Sequence, residues 1–453
     1  MIDLGLGLGA TARPAGKLAP PDGFAFPFAR FPLSVYGSGR TDFEPAAYAE
    51  DALNGTVFHV DASTGSDGNT GLSAASRLQS VHAAVTRGNA TGAPFTVLVR
   101  NSGGGIVPRI HGISASGTVR PTRKCAIVME TGPVAFGTHD LLAYAADPVM
   151  AGVFVAARSN IARVFDLRAT DVFGNPIELA RVGSEAALAG DPGPTGLWYN
   201  SGTVFKLKLH DGASVSNDNV MALLLTQNVT LNNAGSDFFL DGARLYGGND
   251  GALHANGIGG NLVCHRVEAR LAGGGGALRD GFRIESVRGL AAFQHCRAIG
   301  NAKDGFNAHR LDGEPDSLFV LTDRCEGRDN GRFTAQSCNF VTAHEDVVWL
   351  DAGGRADANF GAQLHIIEQA QLWAVATQSR HSRGDLPLDG GIMPTEFLSE
   401  NDAVIWLENT LAEASSGSSW AVRARDASTI LKRGHRTIAG QEGTTGTAVI
   451  GSF

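Results

Sequence analysis

A chain of 453 residues that is 43% apolar and 18% charged can bury a large core, which excludes a disordered protein and a small fold held by disulfides. Its 59 glycines stand well above average usage, while its 17 prolines are ordinary and no G-X-Y period is present, so the chain turns often without being collagen-like. A formal net charge of -8 with no basic stripe argues against a phosphate-binding surface, and so against nucleic acid as a partner.

The N-terminus, MIDLGLGLGATAR, has no positive charge before Arg13 and is interrupted by glycine, so it is not expected to act as a secretory signal. No apolar run approaches the ~18 residues of a membrane span, and no membrane partner is expected. Residues 1–50 mix Gly, Pro and aromatics (PPDGFAFPFARFPLSVYG) with neither helical nor strand period. They read as an extended arm that gains order only by lying on something. Residues 51–96 hold an opening strand, VFHVD, and a short amphipathic helix with Leu78, Val81 and Val85 at helical spacing behind Ser73 as N-cap.

From Val97 onward, short β-branched runs (FTVLVR, CAIVME, GVFVAA) alternate with Gly/Asn/Asp turns, which predicts an all-β body over residues 97–400 and closing coils over 401–453. Cys125, Cys264, Cys296, Cys325 and Cys338 are odd in number with no C-x-x-C pair, so they predict neither a zinc cluster nor a disulfide framework, and no cofactor is implied.

An internal repeat decides which all-β fold this is. HCRAIGN, RCEGRDN and GRADAN place Asn301, Asn330 and Asn359 29 residues apart, with Cys296 and Cys325 each five residues ahead of an Asn. DGFRIES at Asp280, DGFNAHR at Asp304 and FVTAHED at Phe340 form a second alignment with coils of unequal length. Strands that keep register while loops vary are the mark of a solenoid. An Asn at a fixed turn suits such a stack, because its amide can bond its equivalent one coil away and its backbone tolerates a left-handed conformation.

These motifs, with FHVDASTGSDGNTGLSAASRLQSVHAAV and GLWYNSGTVFKLKLHDG, resemble single-stranded right-handed parallel β-helix proteins of the pectin-lyase-like superfamily over residues 57–450. The glycine-studded arm is similar to the attachment arms of phage tail fibres and spikes. With the bias of 31 Arg to 6 Lys, the resemblance extends to spikes of phages and gene transfer agents. It implies a homotrimer on the particle surface, joined to a capsid or tail protein through the arm. It implies no activity, since this fold hosts lyases, hydrolases, epimerases, esterases and adhesins.

Alternation along aligned strands turns Phe282, Ile284, Phe306, Ala308, Val341 and Ala343 inward, and Arg283, Glu285, Asn307, His309, Thr342 and His344 outward. The column Glu285, His309, His344, flanked by Arg310 and Asp312, is the candidate polysaccharide-binding surface, since such groups match sugar hydroxyls and Arg matches anionic groups. Trp198 and Tyr199, beside PGPTG, are candidate stacking rings, whereas Trp349 and Trp373 read as core. Asp304, Asp312, Glu314, Asp316, Glu345 and Asp346 supply too many carboxylates to single out a catalytic pair, and Asp280 and Asp304 read as turn formers. Three functions stay open: a spike that binds host capsular polysaccharide, a polysaccharide lyase or hydrolase on the same scaffold, and a secreted enzyme with an uncleaved leader.

Overall fold

Each turn of the chain gives one short strand to each of three long sheets, of twelve, ten and nine strands, in which all strands run parallel. The structure, a computed structural model, describes residues 16–113, 120–232, 236–274, 279–311, 316–331, 339–384, 394–416 and 419–453. Leu262 pairs with Ala291, Ala291 with Val320 and Val320 with Trp349, so three successive coils keep the 29-residue period of the sequence. Phe282 pairs with Phe306 and Phe306 with Val341, which is the second alignment. The fold is a right-handed parallel β-helix, the hand that parallel crossovers adopt. The six side chains expected inward are fully enclosed, and the rings of Phe282 and Phe306 stack with centroids 4.5 Å apart.

The asparagines form a ladder inside one corner. Asn301 Nδ2 donates to Asn330 Oδ1 at 2.8 Å and Asn330 Nδ2 to Asn359 Oδ1 at 2.8 Å. Each amide also donates to a carbonyl 32 residues earlier, on Ala269, Ala298 and Gly327 respectively. Cys264, Cys296 and Cys325 are buried and free, with the last two thiols donating to the carbonyls of Cys264 and Phe293. Cys338 lies outside the described residues.

A different corner, between the twelve- and ten-stranded sheets, is made by single residues in the left-handed conformation: Arg266, His295, Arg324 and Gly353. This backbone is unfavourable for non-glycine residues. It is held because each of the four N–H groups donates to a carbonyl of the following coil.

The helix Val81–Thr91 closes one end of the core, and its N-cap is Ser80 rather than Ser73. The Ser80 Oγ accepts from Ala83 N at 3.0 Å and donates to Asp67, while Leu78 belongs to a bridge with Val60 ahead of the helix.

Two features depart from the sequence reading. The solenoid is interrupted between Val134–Gly137 and Val229–Leu231 by a mixed sheet of five strands and an antiparallel sheet of three. The segment GLWYNSGTVFKLK, read as coil sequence, is there a hairpin of Leu197–Ser201 with Val204–Lys208, because alternating strands joined by a Gly202 turn satisfy either topology. This insertion has its own core around Val164, Trp198 and Phe205, and Arg163 fastens it to the solenoid by a bond to Gly300 O at 2.9 Å.

The second departure is the arm. Residues 16–49 lie on the outer face of the twelve-stranded sheet, where Phe24, Phe26, Phe31 and Phe43 are buried with Leu350, Trp373 and Trp406. The arm therefore does not wait for an external partner over this stretch, because the chain itself supplies the apolar surface. It explains why Val347–Ala352 is buried at all six positions: Trp349 joins the interior, while Val348 and Leu350 meet the arm. Trp373 is buried as expected, but under the arm rather than inside the coils.

Candidate functional site

The outer face of the nine-stranded sheet carries Thr230, His254, Arg283, Asn307, Thr342 and His365 opposite one another in six successive coils. Beside this line runs the expected column. Glu285 pairs with His309, and the His309 ring lies on that of His344, centroids 4.0 Å apart. Glu285 and His254 are bonded at 2.8 Å, and Arg283 Nε donates to Glu285 at 2.9 Å. Farther along, His365 and Glu400 are bonded at 2.6 Å.

Pointing away from the core does not mean standing in solvent, and here the sequence expectation is corrected. Asn307 is 0% exposed, Thr342 3% and Glu285 5%, because long polar side chains of neighbouring coils lie over one another and pair. Burial pushes the Glu285 carboxyl up, but the bonds from His254 and Arg283 outweigh it and hold it at about 2. His344 is held down to about 2 by burial and by repulsion from His309, His365 and Lys303. At neutral pH Glu285 is thus ionised and His344 neutral.

Asn307 turns its amide nitrogen to Asp280 at 3.1 Å and Asp304 at 2.9 Å, and Lys303 Nζ stands 3.2 Å from Asp304. Both carboxylates are completely buried. Burial pushes Asp280 up. They are buried anchors of the sheet edge rather than surface turn formers, and no sugar reaches them. Asn307 Oδ1 and His254 Nδ1 have no partner among the described residues, which leaves hydrogen-bonding capacity beneath the strip.

At the rim, Arg310 Nη1 bonds Asp346 at 2.8 Å and its backbone N–H donates to Glu345, while His309 Nδ1 lies 3.5 Å from Glu345. Asp312 and Glu314 lie outside the described residues, and among those described no group of three His, Cys, Asp or Glu is placed to hold a metal. Glu345 is half-buried and Asp346 exposed; burial raises Glu345, against the pull of His309.

Trp198 is displaced from its expected role: it is 2% exposed and its indole donates to Leu179 O at 3.1 Å, because its face of the hairpin forms the core of the insertion. Tyr199, on the opposite face, is half-buried. The sequence reading missed His254, His365 and Glu400, which extend the strip. The signal of the two histidines was present in GALHANG and AQLHIIE, but these strands lack the DGF marker that aligned the others.

No protein-family model and no curated protein matches the chain. Among solved structures it is similar to the Gp54 tailspike of Acinetobacter baumannii bacteriophage AP22 in complex with A. baumannii capsular saccharide, at 11% identity over 82% of this chain and 69% of that one, with a TM-score of 0.26. It is also similar to the tailspike gp49 from Pseudomonas phage LKA1, at 10% identity over 82% and 71%, with a TM-score of 0.24. The fold assignment rests on the sheet topology itself.

Proposed function

We propose that this protein is a spike or fibre subunit of a phage or gene transfer agent particle, and that it holds host capsular polysaccharide along the outer face of the nine-stranded sheet. The observation that carries the reading is the set of partly exposed side chains on this face, His254, Arg283, His309, Arg310 and His344, held in place by strands in register and by the buried polar groups beneath them. A rigid row of pre-paired donors and acceptors binds a linear chain of hydroxyls at little cost in side-chain freedom. The subunit forms a homotrimer, attached to a capsid or tail protein through the segment ahead of Gly16. Replacing His309 and Arg310 together by Ala lowers adsorption to encapsulated cells with the melting temperature nearly unchanged, since half-exposed groups at a rim contribute little to folding; unchanged adsorption removes this face as the receptor site.

A depolymerase, lyase or hydrolase, is favoured by one observation: Glu345, raised by burial, stands beside His309 and the exposed Asp346, as a general acid requires. New reducing ends or unsaturated uronate on incubation with capsule, lost in Glu345→Gln, identify this activity.

A further inference from the structure

A trough of about 520 Å³ runs along the corner between the twelve- and ten-stranded sheets, away from the strip described above. Its floor and walls come from two aligned rows. Arg266, His295, Arg324 and Gly353 occupy successive corners. On the ten-stranded sheet, Glu268, Arg297, Glu326 and Arg355 lie opposite one another in four coils. The lining thus holds four guanidinium groups against two carboxylates, in a chain whose net charge is -8.

The guanidinium groups are set before any ligand arrives. Arg266 is clamped by Asp241 through Nε at 2.9 Å and Nη2 at 2.6 Å. Arg324 is clamped in the same way by Asp323, at 3.0 and 3.3 Å. The clamping carboxylates are enclosed, whereas the two arginine side chains are 59% and 42% exposed, so the remaining N–H groups of each fork are free to meet a ligand. Arg297 is held by Glu326 at 2.8 Å. Arg355 is exposed and has no partner among the described residues. An arginine fixed from beneath loses little rotamer freedom on binding an anion and can offer a bidentate edge.

The alternation of charge selects the ligand. On the sheet row, like charges recur every second coil, about 9–10 Å apart at the spacing of neighbouring strands. A continuous polyphosphate would set phosphates against Glu268 and Glu326, whereas a saccharide can offer carboxylates to the arginines and hydroxyls to the glutamates between them. We propose that this trough is a second binding site, for a carboxylated saccharide whose acidic groups alternate with uncharged, hydroxyl-bearing stretches. At Gly353 the corner row ends against the arm, where Gly39 lies close enough to leave no room for a side chain, so the trough is bounded at that end.

The test is calorimetric titration of the full chain with oligohyaluronate and with unsulfated oligochondroitin, in which each uronate is followed by an uncharged sugar, each against its methyl ester and against inorganic sulfate at equal ionic strength. The expected result is saturable binding of at least one acid, lost in its ester. Arg355→Gln, which breaks no internal pair, weakens it about tenfold, and adding Arg297→Gln removes it. His309→Ala leaves it unchanged, so failure of the strip and failure of the trough are told apart. The proposal is overturned if neither acid binds, if sulfate competes as well as the saccharide, or if both arginine variants bind like the parent.

Discussion

The imidazole of His309 lies flat on that of His344, centroids 4.0 Å apart and planes 11° from parallel, and only His309 has a carboxylate beside it. Burial, with repulsion from His309, His365 and Lys303, holds His344 down to about 2, so the unfolded chain takes up a proton below about pH 6.5 that the folded chain refuses. The contribution of His344 to stability is complete above that pH and is lost as the pH falls. His344→Phe, which keeps a flat ring on His309, is expected to lose less of its unfolding midpoint between about pH 7 and about pH 5 than the parent, by calorimetry.

Glu396 gives the opposite sign. Fully buried, it is pushed up to about 7 by burial, against bonds from Ser382 and Ser379. The folded chain therefore holds a proton that the unfolded chain releases above about pH 4.5, and this contribution is lost as the pH rises through about 7. Glu396→Gln is expected to flatten the decline in midpoint between about pH 5 and about pH 8; a decline as steep as the parent's refutes the assignment.

Asn330 is the middle rung of its ladder. It accepts from the Asn301 side chain and backbone N–H and donates to Ala298 O and Asn359 Oδ1. Asn330→Ala leaves several buried groups without partners, at a cost of about 3 kcal/mol. Denaturant titration showing a loss below about 0.5 kcal/mol would contradict the ladder.

The arm is structural over residues 16–49. Phe26 is 4% exposed and packs against Phe319 with ring centroids 6.2 Å apart. Phe26→Ala is expected to cost about 3 kcal/mol, and removal of residues 1–45 to expose Trp373 and Trp406, raising ANS fluorescence. Removal of residues 1–15 alone is expected to leave the melting temperature unchanged while abolishing incorporation into particles. Normal incorporation would refute attachment through that segment.

At Gly353 the arm touches the corner: a Cβ there would stand 2.2 Å from Gly39 O, and both residues have positive φ. Gly353→Ala is expected to loosen the arm without unfolding the coils, seen as faster hydrogen exchange at residues 34–43 alone.

What could be read from the sequence was what repeats. Asn301, Asn330 and Asn359 announced their stack by spacing, and Phe282, Phe306 and Val341 their register by a shared DGF-like marker. Burial of the outward residues could not be read, since it depends on which coils neighbour which: Asn307 looks polar and displayed until Asp280 and Asp304 are placed beside it. The arm's seat was hidden for a related reason. Val348, Leu350 and Trp373 are apolar on the outer face of a sheet, and an unbroken apolar strand does not say which of its sides meets the interior. Nor does alternation in LWYNS and VFKLK distinguish a hairpin from two coils.

The seat of the arm also sets an order of events during synthesis. Ala25 N–H bonds the side chain of Gln371, 346 residues downstream, and Phe24 rests on Trp373 and Trp406. The ribosome therefore releases the arm long before its resting place exists, while the coils beneath can zip up one on the next from the helical cap onward. The arm docks last, as a clasp drawn across a finished stack. A chain that stops short of Trp373 leaves Phe24 without the two indoles it rests on, which marks an unfinished product at the end made first.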